Sequence, residues 1–126
     1  EEELVLVSSA GWKNLQEIGQ RMQQGAAAIM FRAGCAYRLK FEQILSEQGW
    51  PYYARMEMGT VEGMLGCVAA EAGITLLPRA VAQNAANRSQ LRCHLPGRAP
   101  LRVQTVFITR RDEAPSQALR QLLRLL

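Results

Sequence analysis

Short apolar runs alternate with helix-spaced apolar stripes along this chain. Unbroken apolar runs predict strands that are buried on both faces, because strands buried on one face alternate with polar residues. Stripes that recur every three or four residues predict amphipathic helices. Together these patterns predict strands at residues 4–7, 26–31, 52–58, 74–77, 91–95 and 101–109, and helices at residues 12–24, 37–48, 60–72, 79–87 and 115–126.

Two of the predicted helices have clear ends and clear apolar faces. The first ends at Gly49, and Pro51 prevents its continuation. The second begins at Thr60, a good N-cap residue, and ends at Gly73. The stripe of the first helix is Tyr37, Phe41, Ile44, Leu45 and Gln48, and that of the second is Val61, Met64, Leu65, Val68, Ala69 and Ala72.

The alternation of strands and helices predicts the α/β class, with a mostly parallel, doubly wound sheet. In such sheets ligands bind at the carboxyl ends of strands, beside helix N-termini whose free amides attract anions. Two strand-to-helix turns fit this description. Arg32, Gly34 and Cys35 lie in the first, and Met58 and Thr60 in the second. The alternative, which the local pattern alone slightly favours, is that both are ordinary turns with ordinary caps.

Composition narrows the classes of function. The net charge is +4, but the 15 Lys and Arg residues are spread along the chain, which favours a solvated basic surface over a nucleic-acid site. Three widely spaced cysteines, Cys35, Cys67 and Cys93, argue against a disulfide framework and for the reducing cytoplasm. No apolar run is long enough to span a membrane. The first residues lack the features of a signal peptide and are interpreted as a trimmed end.

Residues that could carry chemistry are few. His94 has no acid–base partner nearby in sequence and is predicted to be an exposed loop residue. Its neighbour Cys93 does not complete a metal-ligand cluster. Cys35, at a helix start, could sense oxidants, but a small lining residue is the favoured interpretation. We therefore expect no enzyme, no metal and no cofactor.

Several segments, in this order, resemble the effector domain of LysR-type transcriptional regulators. The most specific is residues 68–78, Val-Ala-Ala-Glu-Ala-Gly-Ile-Thr-Leu-Leu-Pro. The others are residues 4–7 (Leu-Val-Leu-Val), residues 31–38 (Phe-Arg-Ala-Gly-Cys-Ala-Tyr-Arg), residues 60–64 (Thr-Val-Glu-Gly-Met), and Arg110-Arg111 followed by residues 115–119. The resemblance runs through nearly all of the chain but matches only the later part of the family's full length.

This resemblance implies a two-subdomain fold like that of type 2 periplasmic binding proteins, with a small-molecule effector held between the subdomains. Residues 1–25 would belong to subdomain I and the hinge, residues 26–98 to subdomain II, and residues 99–126 to the return strand and last helix of subdomain I. The family's winged helix-turn-helix has no counterpart in this sequence, so DNA would be a partner only through that absent domain. A homo-oligomer with no membrane partner is implied.

The resemblance also carries over a set of cleft positions. These are Ser8 and Ser9 near the hinge, Arg32, Gly34 and Cys35 at the first turn, and Met58 and Thr60 at the second. Ser9-Ala10-Gly11-Trp12 replaces the family's His-Pro-Leu-like segment, which weakens the carry-over near the hinge. Helix amides with Arg32 suggest an anionic effector such as a small carboxylate.

Effector binding would shift the relative orientation of the subdomains, and the oligomer would transmit this change to distant DNA-binding domains. Two alternatives stay open at this point. One is a solute-binding protein of a transport system with the same fold, which would be secreted and would not be expected to keep three unpaired cysteines. The other is an enzyme on a related two-lobed fold, which would need a converging set of acid, base or nucleophile groups.

Overall fold

A computed structural model describes residues 1–51 and 53–126. Within these residues the chain forms six strands, five α-helices and one short 3₁₀ helix. The strands are β1 (Glu2–Ser9), β2 (Ala27–Met30), β3 (Ala54–Glu57), β4 (Gly73–Pro78), β5 (Leu91–His94) and β6 (Leu101–Val103). The helices are α1 (Leu15–Gln23), α2 (Ala36–Glu47), α3 (Val61–Ala69), α4 (Arg79–Gln83) and α5 (Gln117–Arg124), and the 3₁₀ helix is Arg88–Gln90.

The six strands form one sheet in the order β3-β2-β4-β1-β5, with β6 also paired to β1. Strands β2, β3 and β4 run parallel to one another. Strand β1 runs antiparallel to β4, and β5 and β6 run antiparallel to β1. Five strands therefore share one direction and β1 alone runs against them, which confirms the α/β class and the mostly parallel sheet.

Strand β1 lies inside this sheet, although we expected residues 1–25 in a different subdomain from residues 26–98. Its apolar run is buried on both faces, as predicted: Leu4 and Leu6 contribute to one core cluster, and Val5 and Val7 to the other. Burial on both faces carries no information about strand direction, so the antiparallel pairing with β4 was not predictable. The boundary expected at residue 25 therefore does not separate two sheets.

Helices cover both faces of the sheet. The first cluster packs residues of α1 and α2 against one face, and the second packs residues of α3 and α4 against the other. The buried side chains of α2 and α3 follow the predicted stripes: Phe41, Ile44 and Leu45 in α2, and Met64, Leu65 and Val68 in α3. The doubly wound arrangement is thus confirmed by both clusters.

Several predicted elements are shorter than expected. The strand predicted at residues 101–109 ends at Val103, the last of its residues that pairs with β1, opposite Glu2. The helix predicted at residues 79–87 ends at Gln83, and the chain then turns so that Leu91 can pair with Ser9. Of the strand predicted at residues 52–58, β3 comprises Ala54–Glu57, and residue 52 lies outside the described residues.

Residues 104–126 are exposed apart from a half-buried Leu119. Helix α5 begins after Ser116, whose hydroxyl accepts a hydrogen bond from the amide of Leu119 at 3.1 Å. Apolar side chains of this segment lie largely in solvent, including Ile108 at 89% exposure and Leu126 at 74%. In the described part of the chain, no helix is long and apolar enough to cross a membrane.

Candidate functional site

The two predicted turns lie side by side at one edge of the sheet. Strands β2 and β3 are parallel neighbours, so both turns follow carboxyl ends. The amide of Met58 donates to the carbonyl of Met30 at 3.0 Å, which joins the two strands at the point where the turns begin. The structure therefore brings together Arg32, Gly34 and Cys35 with Met58 and Thr60, and we call this region the carboxyl edge.

The first turn presents a helix start and a cation. Gly34 has a φ angle of +93°, a left-handed conformation that strains any residue with a Cβ. Cys35 is the N-cap of α2 but makes no side-chain capping bond, so the first-turn amides keep their capacity to bind a ligand. Arg32 is exposed, and in the described part of the chain its guanidinium makes no hydrogen bond or ion pair.

The second turn is capped and closely packed. The hydroxyl of Thr60 accepts a hydrogen bond from the amide of Gly63 at 3.1 Å, which leaves its own proton available to donate. A Cβ at Gly63 would lie 2.9 Å from the methyl carbon of Met58, so glycine lets the Met58 side chain lie against α3. The Met58 sulfur is also 3.6 Å from the sulfur of Cys67.

Arg38, in the first turn of α2, connects the two turns. Its Nη1 donates to the carbonyl of Phe31 at 3.1 Å and to a carboxylate oxygen of Glu57 at 2.7 Å. Its Nε donates to Glu42 at 3.2 Å. These carboxylates raise the pKa of Arg38 above its usual value, with Glu42 the largest cause. The guanidinium therefore carries a fixed charge that is committed to protein acceptors.

Ser8 and Ser9 do not belong to this edge. They follow Val7, which pairs with Thr75, and so they lie level with the amino ends of β2 and β4. At about 3.3 Å per residue along β2, that places them roughly 15 Å from the first turn. Both are buried. Because β1 runs against its neighbours, its carboxyl end reaches the opposite edge of the sheet.

The start of β1 occupies the carboxyl edge instead. The hydroxyl of Tyr37 donates to a carboxylate oxygen of Glu2 at 2.5 Å, which raises the pKa of Tyr37 to about 12. Arg79 forms a bidentate ion pair with Glu3: its Nε donates to Oε2 at 2.7 Å and its Nη2 donates to Oε1 at 3.1 Å. That hydrogen bonding holds the pKa of Glu3 below its usual value. Sequence patterns missed these residues because their partners lie far along the chain.

His94 was predicted to be an exposed loop residue, and this is wrong. It is the last residue of β5 and is 9% exposed, because it pairs with Leu6 of the central strand β1. Its Nε2 lies 2.7 Å from the hydroxyl oxygen of Ser8. This contact links β1 to β5 within the sheet, away from the two turns.

The burial of His94 predicts a stability that depends on pH. Desolvation, with a smaller contribution from the charge of Arg92, lowers the pKa of His94 below 6.5. The unfolded chain then takes up a proton first as the pH falls, so stability present above pH 6.5 is lost below it. The loss is at most about 1.4 kcal/mol per pH unit. Chemical unfolding measured at several pH values between 7 and 5 checks this result.

His94→Gln is the control for that titration. The chain contains one histidine, so the variant removes the only imidazole while keeping a side chain that can hydrogen-bond. Its free energy of unfolding should change less between pH 7 and pH 5. An equal pH dependence in the two proteins would rule out His94 as the source.

The whole chain, residues 1–126, matches the model of the LysR substrate binding domain. The regulator GltR of Bacillus subtilis is 37% identical over 119 residues, which cover 94% of this chain and 40% of that protein. The uncharacterized regulator YusT of the same organism is 35% identical over 95% of this chain and 39% of its own length. This chain therefore belongs to the LysR substrate-binding domain family, and it spans about two fifths of the curated relatives it matches. Both are described as HTH-type transcriptional regulators, which disfavours the transport alternative.

Solved effector domains share the fold. An effector-binding domain from Citrobacter freundii aligns with a TM-score of 0.63 at 14% identity, over 99% of this chain and 62% of that one. The effector-binding domain of QuiR in complex with shikimate aligns with a TM-score of 0.60 at 14% identity, over 98% of this chain and 58% of that one. The regulatory domain of CcmR from Synechocystis PCC6803, in complex with 2-PG, aligns with a TM-score of 0.54 at 22% identity, over 73% of this chain and 45% of that one. These likenesses confirm the periplasmic-binding-protein-like fold.

Proposed function

We propose that this chain is the effector-sensing part of a LysR-type transcriptional regulator and that it binds a small anionic molecule at the carboxyl edge. The observation that carries the proposal is the exposed Arg32 beside the start of α2 and next to the start of α3, which makes no hydrogen bond or ion pair with the described residues. Two helix N-termini and one uncommitted cation favour negative charge at this position. Arg32, Gly34, Cys35, Met58 and Thr60 are the proposed ligand-binding residues.

The carboxyl edge forms one wall of the proposed site. Arg32, Gly34 and Thr60 are exposed, so the two turns form an open surface. This chain aligns with 62% of the Citrobacter freundii domain, and the remainder of such a domain would provide the opposite wall. The complexes of QuiR with shikimate and of CcmR with 2-PG support a small ligand for this fold.

Regulation would follow from a shift between conformations. The strands β1 and β6, where the described chain begins and returns, pair with each other at the carboxyl edge. A ligand held there would bias how this part is oriented relative to the rest of the regulator. A helix-turn-helix domain outside this chain would contact DNA, in the cytoplasm. The exposed apolar side chains of residues 104–126 favour burial against another protein surface. Homo-oligomer formation, which would bury them, stays a prediction.

No catalytic role is proposed. The Ser8–His94 contact has the residue types of a nucleophile and a base, but Ser8 is fully buried and therefore out of reach of a substrate. No carboxylate is hydrogen-bonded to the His94 ring among the contacts of the described residues. The pair is better explained as a polar contact that satisfies two buried groups.

Arg32→Ala tests the proposed function in the full-length regulator. The alanine removes a charge-assisted hydrogen bond, which contributes about 1.5–3 kcal/mol, so effector affinity should fall roughly 10-fold to 150-fold. A screen of small carboxylates by thermal shift would identify a protecting ligand, and a titration would then compare affinities. A bound ligand raises the free energy of unfolding by an amount that grows with its concentration, and this gain is about 2.7 kcal/mol when the ligand concentration is 100 times Kd.

Arg88→Ala is the matched control. Arg88 is also exposed, but it lies just before β5, near the edge opposite the two turns. The same charge is lost there, so the affinity should stay close to that of the unmodified protein. Equal affinities for the Arg32 and Arg88 variants would contradict the proposed site.

A further inference from the structure

The two turns are held together by more than backbone pairing. The last backbone bond between the strands joins Met58 to Met30, and the carbonyl of Phe31 lies just beyond it. That carbonyl accepts from Arg38 rather than from a neighbouring strand. The same nitrogen of Arg38 donates to Glu57, the last residue of β3. One guanidinium thus extends the connection between β2 and β3 onto the turns themselves.

We propose that Arg38 is a positioning residue of the anion site: it sets the spacing between the two helix N-termini without binding the ligand. This inference rests on the function proposed above. The side chain of Arg38 is 12% exposed, and its Nε and Nη1 donate to three protein acceptors. The planar guanidinium fixes the relative positions of its acceptors, which a lysine ammonium with rotatable donors does not.

The alternative role for this cluster is purely electrostatic. Glu57 is a carboxylate close to a site proposed to hold an anion, so removing it should strengthen anion binding if charge alone matters. If Glu57 instead anchors Arg38, removing it should weaken binding. The sign of the effect therefore separates a positioning role from a charge effect.

Sulfate titrations of this chain, followed by the amide NMR shifts of residues 34–36 and of residue 60, provide the measurement. We expect Glu57→Ala to weaken sulfate binding about 3-fold to 10-fold. Glu62→Ala is the matched control, because Glu62 is an exposed carboxylate in the first turn of α3 with no side-chain partner among the described residues. It should bind sulfate as tightly as the unmodified chain or somewhat more tightly.

Arg38→Lys provides a second test that keeps the charge. We expect it to weaken sulfate binding by a similar factor, because lysine cannot reproduce the three-acceptor geometry. The positioning role is overturned if Glu57→Ala binds as tightly as Glu62→Ala, or if Arg38→Lys binds like the unmodified chain. Absence of sulfate shifts at residues 34–36 in the unmodified chain would instead refute the anion site, and with it the proposed function.

Discussion

Replacing Gly73 by alanine is expected to destabilise the fold by more than about 3 kcal/mol. An added Cβ would lie 1.9 Å from the carbonyl oxygen of Ala27 and 2.7 Å from its carbonyl carbon. These are backbone atoms of β2, which pairs with β4 at this position, so no flexible side chain can move aside. Relief would require the two central strands to separate. Urea unfolding followed by circular dichroism measures the loss.

Gly66→Ala is the control for this substitution. Gly66 lies on the exposed side of α3, and an added Cβ there meets nothing within 4 Å. Alanine at an exposed helix position should stabilise the fold by about 0.5–1 kcal/mol, since it lowers the entropy of the unfolded chain. The same glycine-to-alanine change is therefore expected to lower the free energy of unfolding at residue 73 and to raise it at residue 66. Equal unfolding midpoints for the two variants would show that β2 and β4 do not approach this closely.

Phe41→Ala is expected to cost about 3–5 kcal/mol, the usual range for a buried phenylalanine in a packed core. Phe41 is 1% exposed and belongs to the cluster that holds α2 against the sheet. Because α2 carries the first turn at its N-terminus, loss of this contact should also loosen the proposed site. Denaturant unfolding gives the stability, and hydrogen exchange of the α2 amides reports the local loosening.

Leu39→Ala is the matched variant on the same helix. Leu39 is 63% exposed, so its truncation removes little packing and should change stability by less than about 0.5 kcal/mol. A loss at Leu39 as large as the loss at Phe41 would mean that α2 packs through another face. The pair therefore tests the orientation of the helix that positions Arg32, Gly34 and Cys35.

The amphipathic elements were predictable because their signal is local. The stripes of α2 and α3 identified the buried side chains, and Thr60 was correctly identified as the N-cap of α3. The apolar run of β1 predicted burial on both faces. Element lengths were less predictable, since residues 104–109 have a suitable strand pattern but lie beyond Val103, where the pairing of β6 with β1 ends.

The part of the candidate site that follows β2 and β3 was predictable, because these strands are parallel neighbours. Arg32, Gly34, Cys35, Met58 and Thr60 follow two strands that run side by side, so their proximity followed from the expected topology. Ser8 and Ser9 were included near the hinge because the family resemblance carries those two positions over. Pairing of β1 with β4 is antiparallel, and this moves both serines to the opposite edge.

The sequence by itself determined the α/β class, the buried faces of the helices and the turns at which a ligand could bind. Each of these properties depends on residues within one or two helical turns of one another. Only the tertiary structure decided the direction of β1, the position of Ser8 and Ser9 at the opposite edge, and the connection of the two turns by Arg38. These depend on hydrogen bonds between residues as far apart as Glu3 and Arg79, and no local pattern of apolar and polar residues records such pairings.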